Sequence, residues 1–244
     1  MSSQISPVGL PTSPLNKMSI RCEYPLGQQV NSAPVVHIIE EFISQTEIDA
    51  LVTAAEANLQ QALVSADQSG VVSQGRTGRN CWVKHRATPE IGELSDRISR
   101  LVDIPLTHAE SYQLIHYFET QTYKPHYDAW EASSERGQRC MVKGGQRLVT
   151  CLLYLNTVTA GGGTCFPKLD MEVRAVKGRM VIFHNCFAGT NQRHPDSLHG
   201  GLPVERGEKW ACNLWFREKS LRPLASKPAF PKTLSRGRGF KRVI

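Results

Sequence analysis

No stretch of the 244-residue chain approaches the roughly 18 consecutive apolar residues a membrane helix needs. Nor do residues 1–34 hold a basic segment followed by an apolar one, so no secretory signal is read. An intracellular, cytoplasmic location without a membrane partner is the expectation. Cys-x-x-Cys is also missing: seven cysteines, an odd number, are scattered at 22, 81, 140, 151, 165, 186 and 212. Cys151, Cys165, Cys186 and Cys212 sit in apolar, strand-like runs, which favours buried free thiols over disulfides or zinc. Asp and Glu are absent from residues 219–244, which carry eight Lys/Arg. The formal charge of +7 therefore belongs to this tail, and the preceding 218 residues sum to −1. Such a tail reads as a solvated extension with weak affinity for an acidic partner, while the near-neutral body speaks against nucleic acid as its ligand.

What is present falls into three parts. Residues 1–34, with Pro7, Pro11, Pro14, Pro25 and Pro34, read as a flexible leader. Residues 35–218 read as one domain, and 219–244 as the basic, disordered tail. Within the domain, Val35–Ile39 is a short strand. Ser44-Gln45-Thr46-Glu47 is a capping box that starts a helix, with Ile48, Leu51, Val52, Ala55, Leu59 and Leu63 at helical spacing. Thr88-Pro89 starts a second, with Ile91, Leu94, Ile98, Leu101 and Val102 on one face. Short β runs follow: 112–118, 146–156, 164–166, 172–176, 179–184, 198–204 and 209–217. Helices first and many strands afterwards predict an α+β domain around a jelly roll or closed sandwich. Two loops stand out, a Gly/Ser/Gln-rich one at 65–80 and a polar one at 130–145.

His126-Tyr127-Asp128 lies on an extended segment, where residues two apart point the same way and both reach one metal ion. Eight histidines and 22 acidic residues produce roughly 0.7 His-x-Asp/Glu pairs by chance, so the pair needs support. His199, between two strand runs, is the best second histidine; with it the set becomes the facial triad that leaves positions open on Fe(II). Ten positions on, Lys209 opens the apolar strand KWACNLWF. Burying an unpaired ammonium costs several kcal/mol, so it either meets an anion inside the barrel or snorkels at a strand end.

From Pro34 to Arg217 the chain resembles a prolyl 4-hydroxylase of the Fe(II)/2-oxoglutarate-dependent dioxygenase superfamily. The resemblance rests on Arg76-Thr77, Glu110 ahead of Tyr117, Tyr123-Lys124-Pro125-His126-Tyr127-Asp128 and Gln146–Thr150. It continues through Tyr154-Leu155-Asn156, the glycine run with Thr164 and Phe166-Pro167, Ser197–Val204 and Gly207-Glu208-Lys209-Trp210. It implies a double-stranded β-helix with N-terminal helices on its outer face, and His126, Asp128 and His199 as iron ligands. It also implies Lys209 on the distal carboxylate of 2-oxoglutarate, with Tyr117 and Thr164 adding hydroxyl hydrogen bonds. Tyr123, Arg147, Trp215, Arg76 and Glu110 match positions that face a peptide. The implied reaction consumes O₂, converts 2-oxoglutarate to succinate and CO₂, and hydroxylates proline at C4, with L-ascorbate as reductant.

Two positions depart from the family. Gly162-Gly163 stands where Gly-Glu is usual, which removes a carboxylate, and Gly78 stands where serine is common. Neither touches the iron. The alternatives are a sister dioxygenase acting on free proline, another side chain or alkylated nucleic acid, or a non-catalytic peptide-binding module. Loops 65–80 and 130–145 are expected to close over a peptide.

Overall fold

Ser44 opens the first helix as its sequence predicts. Its hydroxyl accepts from the Glu47 backbone N–H and its own N–H donates to the Glu47 carboxylate, completing the capping box of α1 (Gln45–Glu56). The computed structural model describes residues 20–222 apart from 62, 66–69 and 73–76, with backbone alone at 63–65 and 70–72. Ahead of α1, β1 (Gln28–Ser32) and β2 (Val35–Ile39) pair as a hairpin. After it come the short strands β3 (Gln60–Gln61), β4 (Leu63–Ser65) and β5 (Gly70–Val72), then β6 (Arg79–Val83). Thr88 caps α2 (Pro89–Val102), and Arg97 on α2 clamps the Glu47 carboxylate at 2.8 Å, tying the two helices together.

The rest is β7 (Tyr112–Tyr117), β8 (Tyr123–His126), α3 (Glu135–Met141), β9 (Arg147–Tyr154), β10 (Ala160–Gly161), β11 (Thr164–Phe166) and β12 (Met171–Val173). Then follow β13 (Met180–His184), β14 (His199–Gly201), β15 (Val204–Arg206) and β16 (Lys209–Arg217). An eight-stranded antiparallel sheet runs β1-β2-β13-β9-β16-β7-β6-β3, and a four-stranded one runs β12-β11-β14-β8. Together they form the jelly roll.

The central strands of the large sheet, β2, β13, β9, β16 and β7, are buried on both faces, which is why they read as largely apolar runs. Leu114, Cys151, Leu153, Ile182, Leu214 and Phe216 pack under the helices in one core. Their strand neighbours Ile115, Leu152, Tyr154, Val181 and Phe183 point inward to a second core between the sheets. The period-2 alternation thus assigns every residue of β16 to a side, and it puts Lys209 inside.

Several expectations change. The leader does not extend to residue 34: Gln28–Ser32 is a strand, and Ile20 and Tyr24 are buried, Tyr24 bonding His184 at 2.9 Å. Residues 1–19 lie outside the described residues. The tail does not begin at 219, because backbone bonds tie Lys219 to Gly144 and Leu221 to Thr107; residues 223–244 lie outside the described residues. α1 stops at Glu56, so Leu59 and Leu63 fall beyond it. The run 198–204 is two strands, because Pro203 has no N–H for the ladder and the Leu202 N–H turns to Gly163 O. Segment 65–80 contains part of the β4–β5 hairpin and the start of β6. Segment 130–145 contains α3, capped by Ser134, whose hydroxyl accepts from Gly137 N–H. Among the described residues no helix is long and apolar enough to cross a membrane, and all seven cysteines are free.

Candidate active site

Cross-strand register builds the site. β14 pairs with β8 so that His199 stands opposite His126, and Asp128 follows two residues after His126, just past the strand end. Their ligand atoms, one from each residue, lie within 4.8 Å of one another. His126 Nε2 is 3.8 Å from Asp128 Oδ1, and His199 Nε2 is 3.5 Å from Asp128 Oδ2.

Both imidazoles are oriented from behind. His126 Nδ1 lies 2.9 Å from Lys124 O, and His199 Nδ1 lies 2.9 Å from Ser197 O. A carbonyl only accepts, so Nδ1 carries a proton, which leaves Nε2, on the side of Asp128, to ligate a metal when the ring is neutral. This donor set, two neutral imidazoles and one carboxylate, fits a divalent iron.

Asp128 is held equally firmly. Its Oδ2 accepts from Thr150 Oγ1 and Trp215 Nε1, each at 2.8 Å, and Asn185 Nδ2 donates to Thr150 Oγ1 at 2.8 Å. Burial alone would raise its pKa, but in the metal-free protein the positive charge that the two histidines carry when protonated, with Arg147 and the Trp215 N–H, outweighs it and holds the carboxyl at about 2. Thr150 and Asn185 were not legible as site residues; the available signal was a lone hydroxyl inside the apolar run LVTCLLY.

The pocket beside the triad is lined by His126, His199, Tyr117, Tyr123, Thr164 and Lys209, with Ile115, Leu152 and Phe183 as apolar wall. Lys209 pairs with Tyr117 across β16–β7. It is 3% exposed and makes no hydrogen bond or ion pair among the described residues. Burial pulls its pKa down to about 8. The snorkelling alternative does not hold, since the side chain ends inside the barrel. Tyr154 Oη lies 2.7 Å from Thr164 Oγ1 and fixes it. A larger cleft of about 540 Å³, between the β1–β2 hairpin and Arg97, holds none of these groups.

The positions matched to peptide contacts separate. Tyr123 stacks on the His126 ring, centroids 3.7 Å apart. The Arg147 guanidinium lies 3.8 Å from the centroid of Trp215, whose N–H faces Asp128. Glu110 is already engaged, accepting from Arg147 at 2.7 Å and Arg217 at 2.8 Å. Arg76 lies outside the described residues. Trp82, not singled out by sequence, is 52% exposed with its ring 6.0 Å from that of Trp215.

The two departures have local explanations. A Cβ at Gly78 would collide with the Tyr117 ring, so glycine lets that ring seat in the pocket wall. Where a Gly163 side chain would begin, the carboxylate of Glu172 stands instead. A neighbouring strand thus returns the lost charge.

The comparisons agree with this geometry. The sequence model of the 2OG-Fe(II) oxygenase superfamily matches residues 112–217. A protein of Acanthamoeba polyphaga mimivirus named "Putative prolyl 4-hydroxylase" is 32% identical over 182 residues, 75% of this chain and 74% of that one. Prolyl 4-hydroxylase 2 of Arabidopsis thaliana is 29% identical over 236 residues, 87% of this chain and 75% of its own. Among solved structures, the viral collagen prolyl hydroxylase of Paramecium Bursaria Chlorella virus-1, in complex with 2OG, superposes with a TM-score of 0.60. The two are 25% identical, over 75% of this chain and 95% of that one. The chain belongs to the prolyl 4-hydroxylase family of the 2OG-Fe(II) oxygenase superfamily.

Proposed function

We propose that the chain hydroxylates proline within a peptide at C4, using Fe(II), 2-oxoglutarate and O₂ and releasing succinate and CO₂. One juxtaposition carries this reading: the two histidines of the His–Asp–His cluster line the same pocket as a buried lysine that has no counter-charge among the described residues. When bound, the metal activates O₂ and drives the oxidative decarboxylation of the keto-acid. His126, Asp128 and His199 hold it. Lys209 meets the distal carboxylate of 2-oxoglutarate in a charge-assisted bond, and Tyr117 and Thr164 add hydroxyl contacts. Ile115, Leu152 and Phe183 keep water from the keto-acid.

Tyr123, Arg147, Trp215 and Arg76 contact the peptide in this reading. Glu110 acts there by orienting Arg147. L-Ascorbate is the assigned reductant, the catalytic unit is residues 35–218 extended by β1, and the location is intracellular. The basic tail docks weakly to an acidic partner; loss of salt-dependent binding on deleting 223–244 is its test.

The deciding experiment supplies a proline-rich peptide, Fe(II), 2-oxoglutarate and O₂, then follows succinate release and hydroxyproline by mass spectrometry. Coupled formation of both, abolished by His126→Ala, is expected. Succinate without hydroxyproline in the peptide would transfer the chain to the sister dioxygenases. Peptide binding with no succinate would make it a binding module.

A further inference from the structure

One polar side chain in the pocket has no role so far. β16 sends Lys209, Ala211, Asn213 and Trp215 to its inner face, and Asn213 lines the pocket with Ile115, Leu152 and Phe183. Across the sheet it stands opposite Gln113 on β7 and Leu152 on β9. At about 3.4 Å per residue, its Cα lies about 7 Å from that of Trp215, the residue bonded to Asp128, and about 13 Å from that of Lys209. The amide therefore faces the metal end of the pocket, not the cation end.

Its side chain makes no hydrogen bond among the described residues, although its position is half-buried between apolar walls. Half-buried, the amide is open to water, and a ligand that displaces that water must supply a partner in its place. The other polar groups of the pocket are already allotted. Thr164 is fixed by Tyr154, and both histidines turn Nδ1 to a carbonyl and Nε2 to Asp128. Tyr123 lies flat on His126. Asn213 is the neutral donor left at that end.

2-Oxoglutarate presents two carboxylates to this pocket. One meets Lys209. The other, at C1, would lie toward the metal ligands, and its lone pairs would need donors in a dry site. We propose that Asn213 donates through Nδ2 to the C1 carboxylate of 2-oxoglutarate, so that β16 grips the keto-acid at both ends. The assignment rests on the reading of the pocket given above. An uncharged donor suits the place, because it orients the carboxylate without competing for it as a cation would.

The test is binding, read without turnover. The full chain, loaded with Fe(II) under anaerobic conditions, is titrated with 2-oxoglutarate while the visible charge-transfer absorption of the chelated keto-acid is followed. Asn213→Ala should raise Kd about tenfold or more, the loss of a hydrogen bond to a charged group. Asn213→Asp keeps the shape but sets a carboxylate against a carboxylate, and should raise Kd further. Fe(II) affinity and the thermal midpoint should stay close to wild-type values in Asn213→Ala, which adds no charge beside the metal ligands. If both variants bind 2-oxoglutarate as tightly as wild type, the assignment to Asn213 is wrong while the pocket reading stands. If wild type itself gives no 2-oxoglutarate-dependent band, the pocket reading fails and this inference falls with it.

Discussion

The indole N–H of Trp215 donates to Oδ2 of Asp128 at 2.8 Å. That bond joins the last inward position of β16 to the carboxylate of the histidine–aspartate cluster. One strand thus carries Lys209 at one end of the pocket and orients Asp128 at the other. Trp215 is itself held, with the Arg147 guanidinium 3.8 Å from its ring centroid and Trp82 against its outer side. A residue matched to the peptide side therefore also supports the metal side.

Removing that bond separates the two roles. Trp215→Phe keeps an aromatic surface for Arg147 but takes the donor from Asp128. Loss of such a supporting hydrogen bond typically costs 10–100-fold in metal affinity. We expect about tenfold weaker Fe(II) binding in a metal titration monitored by the 2-oxoglutarate band. Unchanged Fe(II) affinity would mean that Thr150 alone suffices to orient the carboxylate.

Glu110 makes a prediction about stability. Its carboxylate is shared by Arg147 and Arg217, all three largely buried. Burial opposes its ionisation, but the two guanidiniums win and hold its pKa below the usual carboxylate value. Glu110→Gln leaves two cations facing a neutral amide, and breaking a buried pair this way costs about 3 kcal/mol. The carboxylate contributes stability above its unfolded pKa and loses it as pH falls through the lower folded value. The variant should therefore lack that part of the wild type's acid sensitivity. Urea denaturation at pH 7 and pH 4 checks both points; a loss under about 1 kcal/mol at pH 7 would assign Glu110 to the peptide groove alone.

How much of this was legible depends on what each residue's role requires. His126, Asp128, His199 and Lys209 are chemically conspicuous: each is a charged or ligating group on or beside a strand, and the family resemblance is what grouped them. Thr150 and Asn185 are ordinary residues whose role comes only from the β9–β13 register, which places them together under Asp128. β1 was missed because QQVNS has no apolar alternation; it is an edge strand whose side chains are mostly exposed. Pro203 did advertise the break in 198–204, and α3 hid in a polar segment because only Gly137 of its seven residues is buried. Glu110 was matched from sequence to the peptide side, and its sharing between two arginines is visible only once β9 and β16 bring Arg147 and Arg217 beside it.

Tyr154 tests the cosubstrate end. Its hydroxyl lies 2.7 Å from Thr164 Oγ1 and 3.2 Å from Val173 O, and burial pushes its pKa far up, so it stays a neutral donor. Tyr154→Phe frees Thr164 to rotate away from the keto-acid. A neutral hydrogen bond nets about 1 kcal/mol, so Kd for 2-oxoglutarate should rise about fivefold with Fe(II) affinity unchanged. Calorimetric titration of 2-oxoglutarate into Mn(II)-loaded protein reads it. An unaltered Kd would remove Thr164 from the cosubstrate's contacts.

Lys209 supplies the pH dependence. Burial lowers its pKa from the usual 10.5 to about 8. The dianion of 2-oxoglutarate needs the ammonium form, which predominates below pH 8 and is lost above it. Affinity should be flat from pH 6.5 to 7.5 on this account and fall about tenfold by pH 9. Protein free of keto-acid should respond in the opposite sense. Its folded state carries the cost of a buried ammonium below pH 8 and sheds the proton before the unfolded chain does. Stability should therefore rise with pH between about 8 and 10.5, where the unfolded state binds more protons. Lys209→Arg keeps its charge across this range, so its 2-oxoglutarate affinity should not fall with pH, whatever its absolute value. Lys209→Met should lose both trends. Parallel titrations and melts from pH 6.5 to 10 measure the two slopes, and if wild type and Lys209→Met share the same pH profile, Lys209 does not bind the keto-acid.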